Sequence, residues 1–91
     1  MPIIKKNITI KNKLGLHARP AAMFVQIANK YSCGVSLRKG NQTVNGKSIM
    51  GIMMLAAEQG STLYITASGD DAHEAAEELE RLLSGGLDDY Q

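Results

Sequence analysis

His17 and Arg19 are the pair in this chain best spaced to do chemistry, because they bracket the start of a helix. The stretch Leu14-Gly15-Leu16-His17-Ala18-Arg19-Pro20-Ala21-Ala22 passes from a glycine-containing loop into an apolar periodic segment, with the histidine at the junction. The first turn of a helix has N–H groups without internal partners and the positive end of the macrodipole, so it receives anions. Arg19 adds a fixed positive charge there. Pro20 stiffens the turn at a position where its missing N–H removes no helical bond. A nucleophilic imidazole has to be neutral, and a cation beside a helix N-terminus disfavours the imidazolium. A phosphoryl group on the ring would meet Arg19 and the N–H groups of Ala18 and Arg19, all charge-assisted partners. The residue types therefore point to a site that accepts and holds a phosphoryl group. The competing reading, a solvated histidine near a helix start, stays open on position alone.

A second group of residues surrounds Ser48, whose hydroxyl can cap a helix containing Ile49, Ile52, Met53 and Ala56. The segment Ile49, Met50, Met53 is too crowded with apolar residues for all to be buried. An exposed methionine-containing patch suits docking on several partners, since methionine side chains adapt; plain core packing is the alternative. His73 has no basic neighbour and reads as solvated, and Cys33 reads as a small buried hydrophobe. One cysteine and two histidines, at positions 17, 33 and 73, have no metal-ligand spacing, so neither metal nor cofactor is expected.

These residues need elements to hold them. Ile3 to Ile10 is β-branched with Ile8 and Ile10 on one face, a strand whose alternation Lys6 breaks. A helix is predicted from about Ala18 to Asn29, with Ala18, Ala21, Ala22, Val25 and Ala28 inward. Cys33, Val35 and Leu37 alternate, and Lys39-Gly40-Asn41 turns the chain into Thr43, Val44 and Asn45, a hairpin. The Ser48 helix should end near Gly60, interrupted by Gly51. Leu63, Ile65 and Ala67 alternate within a strand from Thr62 to Ser68. The last helix has Asp71 and Glu74 as a capping pair and a stripe of Ala72, Ala75, Ala76, Leu79, Leu82 and Leu83 ending before Gly85-Gly86. A frayed tail is expected over 88–91. Alternating strands bury one face only. The prediction is an α+β fold, one domain over residues 1–91: a four-stranded antiparallel sheet with three helices on one face.

Bulk properties exclude several classes. Ninety-one residues give one small core and no room for a deep catalytic cavity. Ten basic and nine acidic residues leave a net charge of +1, and the basic ones are scattered, so no nucleic acid partner is expected. No apolar run approaches the ~20 residues of a membrane span, and residues 1–12 lack signal-peptide character. The expectation is a cytoplasmic monomer with no membrane partner.

Gly15-Leu16-His17-Ala18-Arg19-Pro20-Ala21 closely resembles the active-site motif of the HPr family, the histidine-containing phosphocarriers of the bacterial sugar phosphotransferase system. Lys47-Ser48-Ile49-Met50-Gly51-Ile52-Met53 resembles the family's regulatory serine segment. Ile65-Thr66-Ala67-Ser68-Gly69-Asp70-Asp71 resembles its last strand-to-helix junction. The resemblance implies an open-faced β-sandwich and phosphorylation of His17 at Nδ1 by enzyme I, with phosphoenolpyruvate as ultimate donor. It further implies transfer to IIA-type permease components, Arg19 as phosphate partner, and modification of Ser48 by an HPr kinase/phosphorylase. The implied protein is a stoichiometric carrier and not an enzyme. A carrier of the nitrogen-linked branch would keep His17, although the Ser48 segment leans toward the sugar branch. A purely regulatory module would need no nucleophile at 17, and a small hydrolase would need a base and orienter that the sequence does not offer. The residues from Leu87 to Gln91 show no family motif.

Overall fold

The computed structural model describes residues 1–85, in the order β1 (Ile3–Thr9), α1 (Ala18–Ala28), β2 (Gly34–Lys39), β3 (Gln42–Asn45), α2 (Ile49–Met54), β4 (Thr62–Ser68) and α3 (Ala72–Gly85). The tail predicted over 88–91 lies outside the described residues. The strands form one antiparallel sheet ordered β1-β4-β2-β3, so the last strand enters the middle and pairs on both sides. Alternation then sorts the faces. Ile8, Val35, Leu37, Leu63, Ile65 and Ala67 are buried and pack with the helices, while Asn7, Tyr64, Thr66, Ser36 and Thr43 occupy the other face. There the Arg38 guanidinium lies 4.1 Å from the centre of the Tyr64 ring. The α+β architecture with three helices is the one the sequence pattern predicts.

The differences are local and have physical causes. Lys6, which breaks the alternation in β1, does face the helices, and its ammonium reaches Glu77 at 3.1 Å and Glu80 at 3.5 Å on α3. A long stem on the apolar side with a paired head explains the break. In α1 the buried face is Pro20, Ala21, Phe24, Val25, Ile27 and Ala28, whereas Ala18 is exposed. The larger Phe24 and Ile27 rotate the stripe toward themselves, because more apolar surface is removed from water that way. The second helix stops at Met54, not near Gly60, because Ala56 takes a left-handed φ of +48° that no helix can continue through. Gly51 fits there because a β-carbon would press on Val44 and on Ser48, at 3.3 and 3.4 Å.

Asp71 acts across elements. Its carboxylate accepts the N–H of Ser32 at 2.9 Å and of Cys33 at 2.9 Å, tying the turn after α1 to the start of α3 instead of serving the predicted capping pair. Nearby, Glu78 accepts from Lys30 at 2.7 Å and from the Tyr31 hydroxyl at 2.5 Å, which pushes Tyr31 up to about 12. Together these bonds fix the far end of α1.

The Ser32 and Cys33 donors hold the Asp71 carboxyl below the usual carboxylate range. A lowered folded value means that the carboxylate's contribution is complete above the ordinary value near 3.9 and is lost as pH falls through the folded one. Asp71→Asn should therefore lower the thermal midpoint at pH 7, and the gap to wild type should narrow on acidification. A gap independent of pH, followed by circular dichroism between pH 3 and 7, would contradict this.

Candidate functional site

The histidine loop is held before the helix begins. Asn12 and Gly15 close a tight turn through Gly15 N–H to the Asn12 carbonyl at 3.2 Å and Asn12 Nδ2 to the Gly15 carbonyl at 3.0 Å. Gly15 has a φ of +67°, and a β-carbon there would collide with the Ala57 carbonyl oxygen. That close approach brings Leu16 N–H to the Ala57 carbonyl at 2.9 Å, while the Leu16 side chain is buried in the core. The loop carrying His17 is thus tethered on one side to the segment that follows α2, and on the other it runs into α1.

His17 is the N-cap residue of α1, with extended backbone (φ −88°, ψ −170°) and a half-buried side chain. Its carbonyl accepts the Ala21 N–H at 3.0 Å, the first intrahelical bond. Serine, threonine, aspartate or asparagine at this position would turn the side chain back onto the first turn, but the imidazole makes no such capping bond. Pro20 has no N–H and its ring is buried. The N–H groups of Ala18 and Arg19 therefore begin the helix without an intrahelical acceptor. Arg19 is exposed, and the first turn contains no acidic residue to neutralise it. An imidazole without a capping bond, two N–H groups without intrahelical acceptors and an exposed arginine thus all belong to the first turn of α1, the end of a helix that favours an anion.

Ser48 caps α2 as its residue type predicts: its Oγ accepts the Gly51 N–H at 3.0 Å, and its carbonyl accepts the Ile52 N–H at 3.0 Å. Ile49, Met50 and Met53 are 44%, 73% and 39% exposed, while Ile52 and Leu55 take the core-facing positions. Helices α1 and α2 pack on one another, which puts both groups of residues on one layer. Sequence reasoning missed two members of the exposed apolar set, Leu14 in the histidine loop and Met54 at the end of α2, 73% and 64% exposed. The signal for Leu14 was its isolation between Lys13 and Gly15, outside any periodic stretch. His73 is exposed in α3 and Cys33 is buried, as their contexts suggest. Among the described residues no cluster of three or more histidine, cysteine or acidic side chains could hold a metal ion.

Residues 4–85 match the family model described as the PTS HPr component phosphorylation site. The phosphocarrier protein HPr of Pseudomonas aeruginosa is 46% identical over 90 residues, 98% of either chain. The crystal structure of HPr from Bacillus anthracis superposes with a TM-score of 0.85 at 46% identity, covering 90% of this chain and 98% of that one. The crystal structure of Bacillus subtilis Crh, the catabolite repression protein, described as a swapped, intertwined dimer, gives 0.72 at 42% identity, covering 88% and 92%.

Gly15→Ala combines a forbidden φ with a backbone collision, so it should destabilise the chain by about 1–3 kcal/mol. Urea unfolding measures it, and an unchanged midpoint would show that the Ala57 approach is not required.

Proposed function

The chain belongs to the HPr family of phosphotransferase-system components, and on that premise we propose that His17 is the residue that carries its phosphoryl group. Members of this family are phosphocarriers and not enzymes with turnover of their own. The observation that supports His17 is its imidazole, free of any capping bond at the N-cap of α1 beside the unused N–H groups of Ala18 and Arg19. The Nδ1 lone pair forms a bond to phosphorus as the donor's bond to phosphorus breaks, the donor keeping that electron pair. Arg19 and the helix start then face a dianion that they stabilise electrostatically. Exposure of the site lets a nucleophile on the next protein attack the phosphorus from the opposite side, and the N–P bond breaks in turn.

Enzyme I is the donor in this reading and IIA-type permease components are the acceptors, all in the cytoplasm, with the chain working as a monomeric domain. Because α1 and α2 pack on one another, the exposed residues Ile49, Met50 and Met53 would offer contact area to a partner that docks at His17. Among the described residues no helix is long and apolar enough to cross a membrane. Incubation with enzyme I and labelled phosphoenolpyruvate should place an acid-labile phosphate on the wild type and none on His17→Ala. Label that is acid-stable, or that persists in the variant, would sink the assignment.

Ser48 is the control point of the same reading. An HPr kinase/phosphorylase would replace the Ser48 hydroxyl proton with a phosphoryl group from ATP, releasing ADP. The product carries roughly two negative charges next to the apolar docking residues. Acidic partner surfaces are repelled, and a cap hydrogen bond to Gly51 is disturbed. Ser48→Asp should raise the KM for the phosphorylated donor, and added salt should shrink the effect. A KM equal to that of wild type at low salt would remove Ser48 from the regulation.

A further inference from the structure

Lys39 closes β2 and sends its ammonium to two main-chain carbonyls at once, Leu55 at 3.0 Å and Ala56 at 3.1 Å. These are carbonyls at the end of α2, which a helix leaves without partners and whose partial negative charge a cation satisfies. Among the described residues the Lys39 ammonium meets no carboxylate, so an ion pair does not explain its placement. Ala56 is the one described non-glycine residue with a positive φ, at +48°. Alanine keeps such a conformation only where its surroundings impose it. The following carbonyl, Ala57, accepts the Leu16 N–H next to His17. On its other side the chain is fixed by Glu58 N–H to Ser61 Oγ at 3.0 Å and by Gly60 N–H to the Ile10 carbonyl at 2.8 Å. The acceptor of the histidine loop's tether is therefore aimed from both flanks, and on the α2 flank Lys39 is the side chain that does so.

We infer that Lys39 is a positioning residue for phosphoryl transfer: clamping the Leu55 and Ala56 carbonyls, it holds the strained turn that presents Ala57 to Leu16 and so fixes His17 at the start of α1. The inference rests on the assignment of His17 as the phosphoryl acceptor. Lys39 itself touches no reacting atom. Its effect travels through Ala56, Ala57, Leu16 and the peptide of His17, a path of consecutive bonds and two hydrogen-bonded steps.

Rapid-quench transfer from phosphorylated enzyme I, at saturating donor and well below every thermal midpoint, separates positioning from mere stability. Wild type that takes no label would overturn the His17 assignment, and with it the inference. With wild type active, Lys39→Met should slow the saturating transfer by about tenfold to a hundredfold, the cost of a reacting group misplaced by about 1 Å. Its KM should stay near that of wild type, and Lys39→Arg, which keeps donors at the clamp, should restore most of the rate. A saturating rate for Lys39→Met equal to wild type, whatever its thermal midpoint, would overturn the inference, as would equal losses in the methionine and arginine variants. Should Lys39→Met not fold, Lys39→Gln is compared with Lys39→Arg by the same criteria.

Discussion

The hydrogen bond from Leu16 N–H to the Ala57 carbonyl is the constraint on which the site depends. It joins two segments far apart in sequence: the loop that delivers His17 and the turn that leaves the helix capped by Ser48. It forms only because residue 15 is glycine, since any β-carbon would occupy the place of the Ala57 oxygen. A single hydrogen bond contributes little net stability, about 0.5–1.5 kcal/mol. Its importance lies in register. It sets where α1 starts, and so which residue becomes the N-cap and which N–H groups remain unused. Burial of the Leu16 and Pro20 side chains on either side of His17 holds the same register from the core.

From that register follows the chemistry. A histidine inside a helix would have its neighbours' N–H groups consumed by the helical ladder, and one out in a loop would lack the dipole. At the N-cap both conditions are met, and Pro20 removes a donor that would otherwise compete for water or substrate. Ala18 and Arg19 are exposed beside the half-buried His17, which suits a protein that hands its cargo to another macromolecule. In the proposed role of His17, one guanidinium and two N–H groups would hold the phosphoryl group without burying it, so that transfer onward is not opposed by a deep binding well. The exposed apolar residues of α2 lie on the same layer, with Ser48 as the N-cap of their helix, so in the proposed reading they would supply contact area and Ser48 a place where a change of charge is felt.

Much of this was legible from residue order. Strand β4 and the stripe of α3 were readable because alternation and 3.6-residue spacing are strong where no side chain has a second task. The histidine junction was legible because glycine, histidine, arginine and proline each have a distinct role at a helix start. What escaped the sequence were the side chains working across elements. Lys6 looked like a flaw in a strand because its partners, Glu77 and Glu80, are about seventy residues away. Asp71 looked like a cap for its own helix, yet its acceptor capacity goes to the turn after α1. The end of α2 was misplaced because apolar residues continue to Ala57, whereas the helix is stopped by a backbone conformation at Ala56 that composition does not reveal. Lys39 gave no signal at all, since a lysine next to a hairpin turn is ordinary until its two carbonyl partners are seen.

In the proposed function His17 takes the phosphoryl group because the start of α1 is free to receive it. Combined 31P and 1H–15N NMR of the isotopically labelled protein, before and after phosphorylation by enzyme I, tests this most directly. Phosphorus should be bound to a ring nitrogen of His17, with the amide protons of Ala18 and Arg19 moving downfield as they acquire an anionic acceptor. Phosphorus on any other residue, or on His17 with those two amides unmoved, would contradict it.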